Sequence, residues 1–231
     1  MGEFLDSIIK AGELVLSLDP ELVSITLLSL SVSLVGVFFA GILAMPLGIF
    51  LGQRTFRGKS FFVNIINTFM GLPPVIVGLF LFALFSRKGP FGTTGILFTP
   101  QIMALAQFII AFPIIAGLSI SAAGSIRKDV LDLIVSSGAT RLQIIYLSLF
   151  EARYGLFTAL MAGLGRAFSE VGAVIIVGGN IREHTRILTT AIVLETSRGE
   201  FETAMALGII LLTLGFIINY AITIVREKSQ R

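Results

Sequence analysis

From residue 125 the chain reads Ser125-Ile-Arg-Lys-Asp-Val-Leu-Asp-Leu-Ile-Val-Ser-Ser-Gly-Ala-Thr-Arg-Leu-Gln-Ile-Ile-Tyr-Leu-Ser-Leu-Phe-Glu-Ala-Arg153. This polar stretch separates long apolar segments, and its own apolar residues recur at helical spacing on both sides of Gly138. On the first side they are Val130, Leu131, Ile134 and Val135, and on the second Leu142, Ile145, Tyr146, Leu149 and Phe150. The pattern predicts two short amphipathic helices that form a docking surface for a soluble partner.

Two local signals place the boundary between these helices. Gly138 suits the left-handed conformation that commonly ends a helix. Thr140 and Gln143 have the spacing of a capping box, which would begin the second helix. The junction between the helices is therefore specified by the residues at the junction itself.

The composition indicates an integral membrane protein. Hydrophobic residues make up 55% of the chain and charged residues 13%, and the mean hydropathy is +0.96. Soluble domains do not reach these values. The chain has no cysteine and one histidine, which excludes thiolate catalysis and a histidine-rich metal site within one chain. We expect an all-α membrane protein that binds no metal and no cofactor of its own.

The apolar segments predict five membrane spans, because a hydrocarbon core of about 30 Å requires roughly twenty apolar residues per helix. Asp19-Pro20 has the form of a capped helix start. Gly71-Leu-Pro-Pro74 predicts a break inside the second span, since two prolines lack amide donors. The predicted organisation is an interfacial amphipathic helix over 1–20, a transmembrane domain over 21–225 with spans at about 22–52, 61–85, 101–123, 154–177 and 204–225, a coupling loop over 125–153, and a tail over 226–231.

The distribution of Lys and Arg predicts the orientation. With the amino terminus outside, the inner segments carry ten basic residues and the outer segments six, and the outer ones are accompanied by nine acidic residues. The carboxyl terminus and the polar stretch then face the cytoplasm. A further span within 187–194 is too short to cross, so we expect a short outer helix there.

Arg166 and Glu170 are the charged pair of the fourth predicted span. Four residues apart, they would share one helical face and neutralise each other. Two interpretations remain open: the pair pins the bundle together, or it lines or gates a translocation path.

Other motifs point away from enzymatic chemistry. Gly58-Lys59-Ser60 ends like a phosphate-binding loop, but that motif requires glycine at position 53, where this chain has Gln53. The chain should therefore not hydrolyse ATP on its own. His184, next to arginine and without further ligands, is expected to be an ordinary solvated side chain.

The loop around Asp132 and Gly138-Ala139 resembles the cytoplasmic signature loop of permease subunits of binding-protein-dependent ABC importers. The stretch from Gly165 to Ile192 resembles the molybdate and tungstate permeases, and it is most similar to the tungstate branch. The resemblance implies a type I importer fold and a homodimer that works with two cytoplasmic ATPases, which bind ATP and Mg, and an extracytoplasmic binding protein. It assigns ATPase coupling to Asp132, Gly138, Ala139, Thr140 and Leu142.

The implied function is import of an oxyanion, tungstate, with molybdate, vanadate or sulfate as alternatives on the same architecture. Such an anion should pass positive side chains, hydroxyls and broken helix ends. The candidate broken-helix positions are Pro73, Pro74, Gly178, Gly179 and Asn180. An ion-gradient-driven transporter that uses Arg166 and Glu170 as a proton relay is a more distant alternative. A third is an interaction scaffold that only assembles other subunits.

Overall fold

The computed structural model describes residues 19–126 and 136–229, together with Ile9, Gly12, Glu13, Leu16 and Ser17. Among these residues the regular structure is helical and contains no strand. The predicted interfacial helix over 1–20 and the first helix of the coupling loop, including Asp132, lie largely outside the described residues. The helices are α1 Pro20–Gln53, α2 Lys59–Met70, α3 Pro74–Phe85, α4 Pro100–Gly124, α5 Arg141–Glu151, α6 Arg153–Phe168, α7 Gly172–Gly178, α8 Leu188–Arg198 and α9 Phe201–Ser229.

Helix α1 begins where the sequence predicts. The carboxylate of Asp19 accepts hydrogen bonds from the amides of Glu21, at 2.8 Å, and Leu22, at 3.2 Å. Pro20 occupies the first turn, where its missing amide is not needed. The helix then continues through Pro46 to Gln53.

Helix α4 forms the centre of the bundle. In its most apolar window 61% of the residues are buried, against 17% for α9. Helices α1 and α6 pack on α4, and so do the shorter α2 and α7. At the α1–α4 crossing a side chain on Gly48 would collide with Ser119, so glycine permits the close approach of the two helices. Helix α9 lies at the edge, with Leu212 and Phe216 exposed, as expected for a lipid-facing surface.

Three helices among the described residues are long and apolar enough to cross a membrane alone, namely α1, α4 and α9. Two further candidates are bent pairs: α2 with α3, at 97°, and α5 with α6, at 77°. The predicted second span over 61–85 is therefore two helices of 12 residues each that meet at Gly71 and the two prolines. The described residues contain three to five spans.

The fourth predicted span is also not continuous. Helix α6 ends at Phe168, and α7 starts at Gly172. Residues 169–171, which we call the fourth-span break, lie between the two helices and belong to neither. The predicted continuous span over 154–177 is therefore interrupted between Arg166 and Ala173. The Glu170 carboxylate accepts the amide of Ala173 and so caps the next helix.

Candidate functional site

Helix α5 presents an apolar face to the surroundings. Leu142 is 80% exposed, Tyr146 70% and Phe150 60%. On the same helix Leu149 packs against a buried cluster that includes Ile49 and Ala122. One edge of the predicted face thus packs inside the protein, and the other edge is exposed. We call the exposed edge, formed by Leu142, Tyr146 and Phe150, the open face of α5. Three large apolar side chains one turn apart thus form an exposed apolar surface on this helix.

The start of α5 has the predicted local geometry. Gly138 has a φ of +75°, in the left-handed region that favours glycine. The amide of Thr140 donates to the Gln143 side chain at 2.8 Å, and the amide of Gln143 donates to the Thr140 hydroxyl at 3.4 Å. Ala139, which follows Gly138 in the chain, is half-buried. The capping box and the glycine conformation are confirmed.

The end of α5 is held by an arginine. The Arg153 guanidinium donates to the carbonyl of Phe150 at 2.9 Å. It also lies 4.4 Å from the ring centroids of Phe150 and Tyr154. These contacts fix the sharp turn into α6 and satisfy a carbonyl at the helix end.

The fourth-span break is held by side chains from other helices. Glu170 is 3% exposed, and its carboxylate accepts the Ala173 amide at 3.0 Å. Its backbone carbonyl accepts the hydroxyl of Thr189, on α8, at 2.8 Å. The side-chain amide of Gln107, on α4, donates to the Ala167 carbonyl at 2.9 Å. These bonds supply buried polar groups at the break with hydrogen-bond partners.

Arg166 and Glu170 are an ion pair, with 3.8 Å between Nη2 and Oε2. The arginine side chain is 40% exposed and the glutamate side chain 4%. A single contact of this length is weaker than the bidentate arginine–carboxylate geometry. The two residues therefore have different surroundings, Glu170 inside the bundle and Arg166 at its surface.

The break at Pro73 and Pro74 lies beside the start of α7. Pro73 precedes α3 and Pro74 is its first residue. Gly172 lies so close to Val75 that a Cβ on the glycine would be 2.7 Å from Val75 Cγ2. The amino-terminal ends of α3 and α7 are thus neighbours, and both ends carry partial positive charge.

The expected amide donors at Gly178 and Gly179 are not free, because this point is the carboxyl end of α7. The Gly179 amide donates to the Ile175 carbonyl at 3.0 Å, and the Gly178 carbonyl accepts the Thr185 hydroxyl at 2.5 Å. Gly179 and Asn180 both have positive φ, +71° and +51°. The Asn180 side chain donates to the Thr190 carbonyl at 3.3 Å. These contacts join the loop after α7 to α8.

A charged cluster joins that loop to the start of α1. Arg182 donates to both carboxylate oxygens of Glu21, at 3.0 and 2.5 Å, and Arg186 donates to one of them at 3.3 Å. The hydrogen bond and the negative charge of Glu21 raise the pKa of Arg182. We call Arg182 and Arg186 the arginine pair. Reasoning from the sequence missed this cluster, because its members are 161 and 165 residues apart.

His184 is exposed in the same loop, as expected. Within the described ranges no group of three or more His, Cys, Asp and Glu side chains is placed to hold a metal ion.

Comparison with solved structures shows that this fold occurs in an ABC transporter of known structure. The fold matches a chain of the MetNI methionine ABC transporter, in a structure described as inward facing, with a TM-score of 0.71. The match covers 91% of this chain and 97% of that chain, at 23% identity.

Sequence comparison then gives the family. Residues 44–230 match the family described as "Binding-protein-dependent transport system inner membrane component". The chain belongs to this family and is a multi-pass membrane protein. The resemblance to importer permeases read from the sequence is confirmed.

Several named relatives are similar over most of their length. A probable anion ABC transporter permease protein of Haloferax volcanii is 47% identical over 86% of this chain and 88% of the relative. The tungstate uptake system permease protein TupB of Peptoclostridium acidaminophilum is 40% identical, with 94% and 96% covered. TupB of Campylobacter jejuni is 39% identical, with 71% and 69% covered.

Proposed function

We propose that this chain is the permease subunit of an ATP-driven importer that moves tungstate across the cytoplasmic membrane. The observation that carries the proposal is the 40% identity with a tungstate uptake permease over 94% of the chain. A similarity of this extent covers the interior of the bundle as well as its surface. Molybdate, vanadate and sulfate are the alternative cargoes on the same architecture.

The proposed topology has five spans and an outer amino terminus. Helices α1, α4 and α9 cross alone, α2 and α3 form the bent second span, and α6 with α7 forms the broken fourth span. Helix α6 has 16 residues and α7 has 7, which together meet the need for about twenty apolar residues. The arginine pair is then at the outer end and α5 at the cytoplasmic end, as the basic residues indicate.

The proposed partners bind at the cytoplasmic and outer ends of the helix bundle. The open face of α5 receives a cytoplasmic ATPase, and a second copy of the permease brings a second ATPase. ATP and Mg bind to the ATPases, and this chain itself is not an enzyme. An extracytoplasmic binding protein delivers the anion to the outer end. Asp132, Gly138, Ala139, Thr140 and Leu142 belong to the proposed coupling loop.

The geometry suggests how ATPase movement reaches the membrane. Helix α5 turns directly into α6, and Arg153 stabilises the turn, so displacement of α5 would move α6 as a rigid lever. The fourth-span break at the far end of α6 is the point at which that movement can be absorbed. In this mechanism Glu170 holds the break, and the half-exposed Arg166 faces the passing anion.

The experiment measures tungsten, molybdenum, vanadium and sulfur accumulated by cells with and without this chain. The partner subunits are present, and each oxyanion is supplied at nanomolar concentration. We expect loss of tungsten uptake alone. Loss of another element would retain the importer and change its cargo, whereas uptake that persists with an ATPase-inactive partner would contradict an ATP-driven importer.

A further inference from the structure

The carboxylate of Glu21 lies in a site built from two guanidinium groups. Arg182 binds it through two donors and Arg186 through a third. Planar guanidinium forks are the side chains that bind carboxylates and oxyanions most specifically. An internal anion therefore occupies an anion-binding arrangement at the proposed outer end of the bundle.

Arg186 has more binding capacity than the protein uses. Its side chain is only 10% exposed, and its Nε atom has no hydrogen-bond partner among the described residues. A buried donor left unpaired is costly, more so when it belongs to a charged group. The one ion pair it forms is a single contact at 3.3 Å. Arg186 is thus a buried cation that is incompletely neutralised.

Arg186 lines two cavities at its contact with Glu21. Their volumes are about 370 and 440 Å³, and Arg182, Glu21 and Asp19 line both of them. At about 30 Å³ for a water molecule in the liquid, each cavity holds a tetrahedral oxyanion with several waters. The guanidinium-bearing side chain of Arg186 therefore lies beside space for a ligand.

The other charges around these cavities have their own partners or are exposed. Asp19 accepts two amides of α1. Glu195 pairs with Arg198 at 3.3 Å. Glu183 is exposed at the surface, where water and salt screen its charge. Two arginines therefore share the single carboxylate of Glu21.

We propose that Arg182 and Arg186 form an oxyanion subsite at the outer end of the permease, in which Glu21 occupies the place of the anion until substrate arrives. The inference rests on the proposed function, since it assumes that the cargo is a tetrahedral dianion. Arg186 anchors the dianion through its guanidinium group, and Arg182 exchanges its two bonds to Glu21 for bonds to the oxyanion. Displacement of Glu21 also frees the loop after α7 from the start of α1.

The test measures tungstate bound to the purified permease–ATPase complex without the binding protein. The complex in detergent is dialysed to equilibrium against sodium tungstate, and bound tungsten is determined per permease by mass spectrometry. Glu21→Gln should bind tungstate about tenfold more tightly, because one charge-assisted competitor is removed. Arg186→Gln should abolish binding, and Arg186→Lys, which keeps the charge but loses the fork, should weaken it.

Arg198→Gln is the matched control. Arg198 lines one of the two cavities, so this variant removes the same charge from nearly the same place while leaving the arginine pair intact. It should change tungstate affinity by less than about twofold, because that charge is already paired with Glu195. An equal loss of tungstate affinity in Arg198→Gln and Arg186→Gln would overturn the subsite. It would mean that any positive charge in this region attracts the anion to the same extent. Absence of binding in both wild type and Glu21→Gln would also overturn it.

Uptake by the complete importer separates this inference from the proposed function. If the wild-type importer accumulates no tungstate in cells, the proposed function fails. If it accumulates tungstate normally and the dialysis shows no binding that depends on Arg186, the subsite alone is wrong.

Discussion

The side-chain amide of Gln107 donates a hydrogen bond of 2.9 Å to the main-chain carbonyl of Ala167. This bond joins the most buried helix of the bundle, α4, to the last turn of α6. Gln107 is fully buried, and its Oε1 has no partner among the described residues. The Ala167 carbonyl also accepts the main-chain amide of Glu170 at 3.2 Å, so Gln107 supplies a second donor at the point where the helix is interrupted.

Replacement of Gln107 by Ala should destabilise the protein. The carbonyl of Ala167 would keep the amide of Glu170 and lose its second donor, and a typical hydrogen bond contributes about 0.5–1.5 kcal/mol. The measurement is the thermal unfolding midpoint of the protein in detergent, and Gln101→Ala, at an exposed position on the same helix, is the control. Equal midpoints for the two variants would show that the bond to Ala167 contributes nothing.

Exchange of the charges of Arg166 and Glu170 should not preserve tungstate transport. Position 170 requires an acceptor for the Ala173 amide, and arginine has none. Glu170→Gln retains an acceptor and should be the milder change. Tungstate uptake and thermal stability are to be measured for the double variant Arg166→Glu/Glu170→Arg and for Glu170→Gln. Full transport by the exchanged pair would reduce the role of Glu170 to simple charge pairing and remove the gate interpretation.

Gly138→Asp should leave the protein in the membrane and detach or uncouple the ATPase. Among the described residues no atom lies within 4 Å of a Cβ at this position, so the effect comes from the positive φ, at about 1 kcal/mol, and from the added charge. Gly95 has a φ of +64° and equally open surroundings, and Gly95→Asp is the control. ATPase co-purification and transport are the measurements, and normal values for Gly138→Asp would contradict the prediction.

Tyr146→Ala should weaken the attachment of the ATPase. The ring is 70% exposed at the centre of the open face of α5, and a central aromatic contact commonly contributes 2 kcal/mol or more to an interface, roughly a thirtyfold change in affinity. Tyr220, 59% exposed on α9, offers a matched control in Tyr220→Ala. Retention of the ATPase on an affinity column distinguishes the two. If both variants retain it equally, the open face of α5 is not the contact.

Thr140→Ala should weaken the attachment of the ATPase less than Tyr146→Ala does. Loss of the capping box costs about 1 kcal/mol of helix stability but leaves the apolar face intact. The ATPase activity of the assembled complex over a temperature series would show the effect as an earlier loss of coupling. An unchanged temperature profile would mean that α5 is held by its packing alone.

Local features of this protein could be predicted from sequence because their causes are local. The Asp19 cap, the positive φ of Gly138 and the Thr140–Gln143 box each depend on residues within a few positions of one another. The apolar segments likewise reveal membrane helices, since the hydrocarbon thickness sets their length. The break in the second span was predicted because its two prolines lack amide donors, although the bend of 97° was not predicted.

The amino-acid sequence by itself determined that this is a helical membrane protein, where its long apolar helices lie and to which family it belongs. Only the tertiary structure decided that the fourth span is broken at residues 169–171 and that Glu21 meets Arg182 and Arg186. Helical periodicity reports the face of one helix and contains nothing about side chains that arrive from another helix. Gln107 and Thr189 hold the break across distances in sequence that no local pattern covers, and burial in a medium without water makes those few polar bonds decisive.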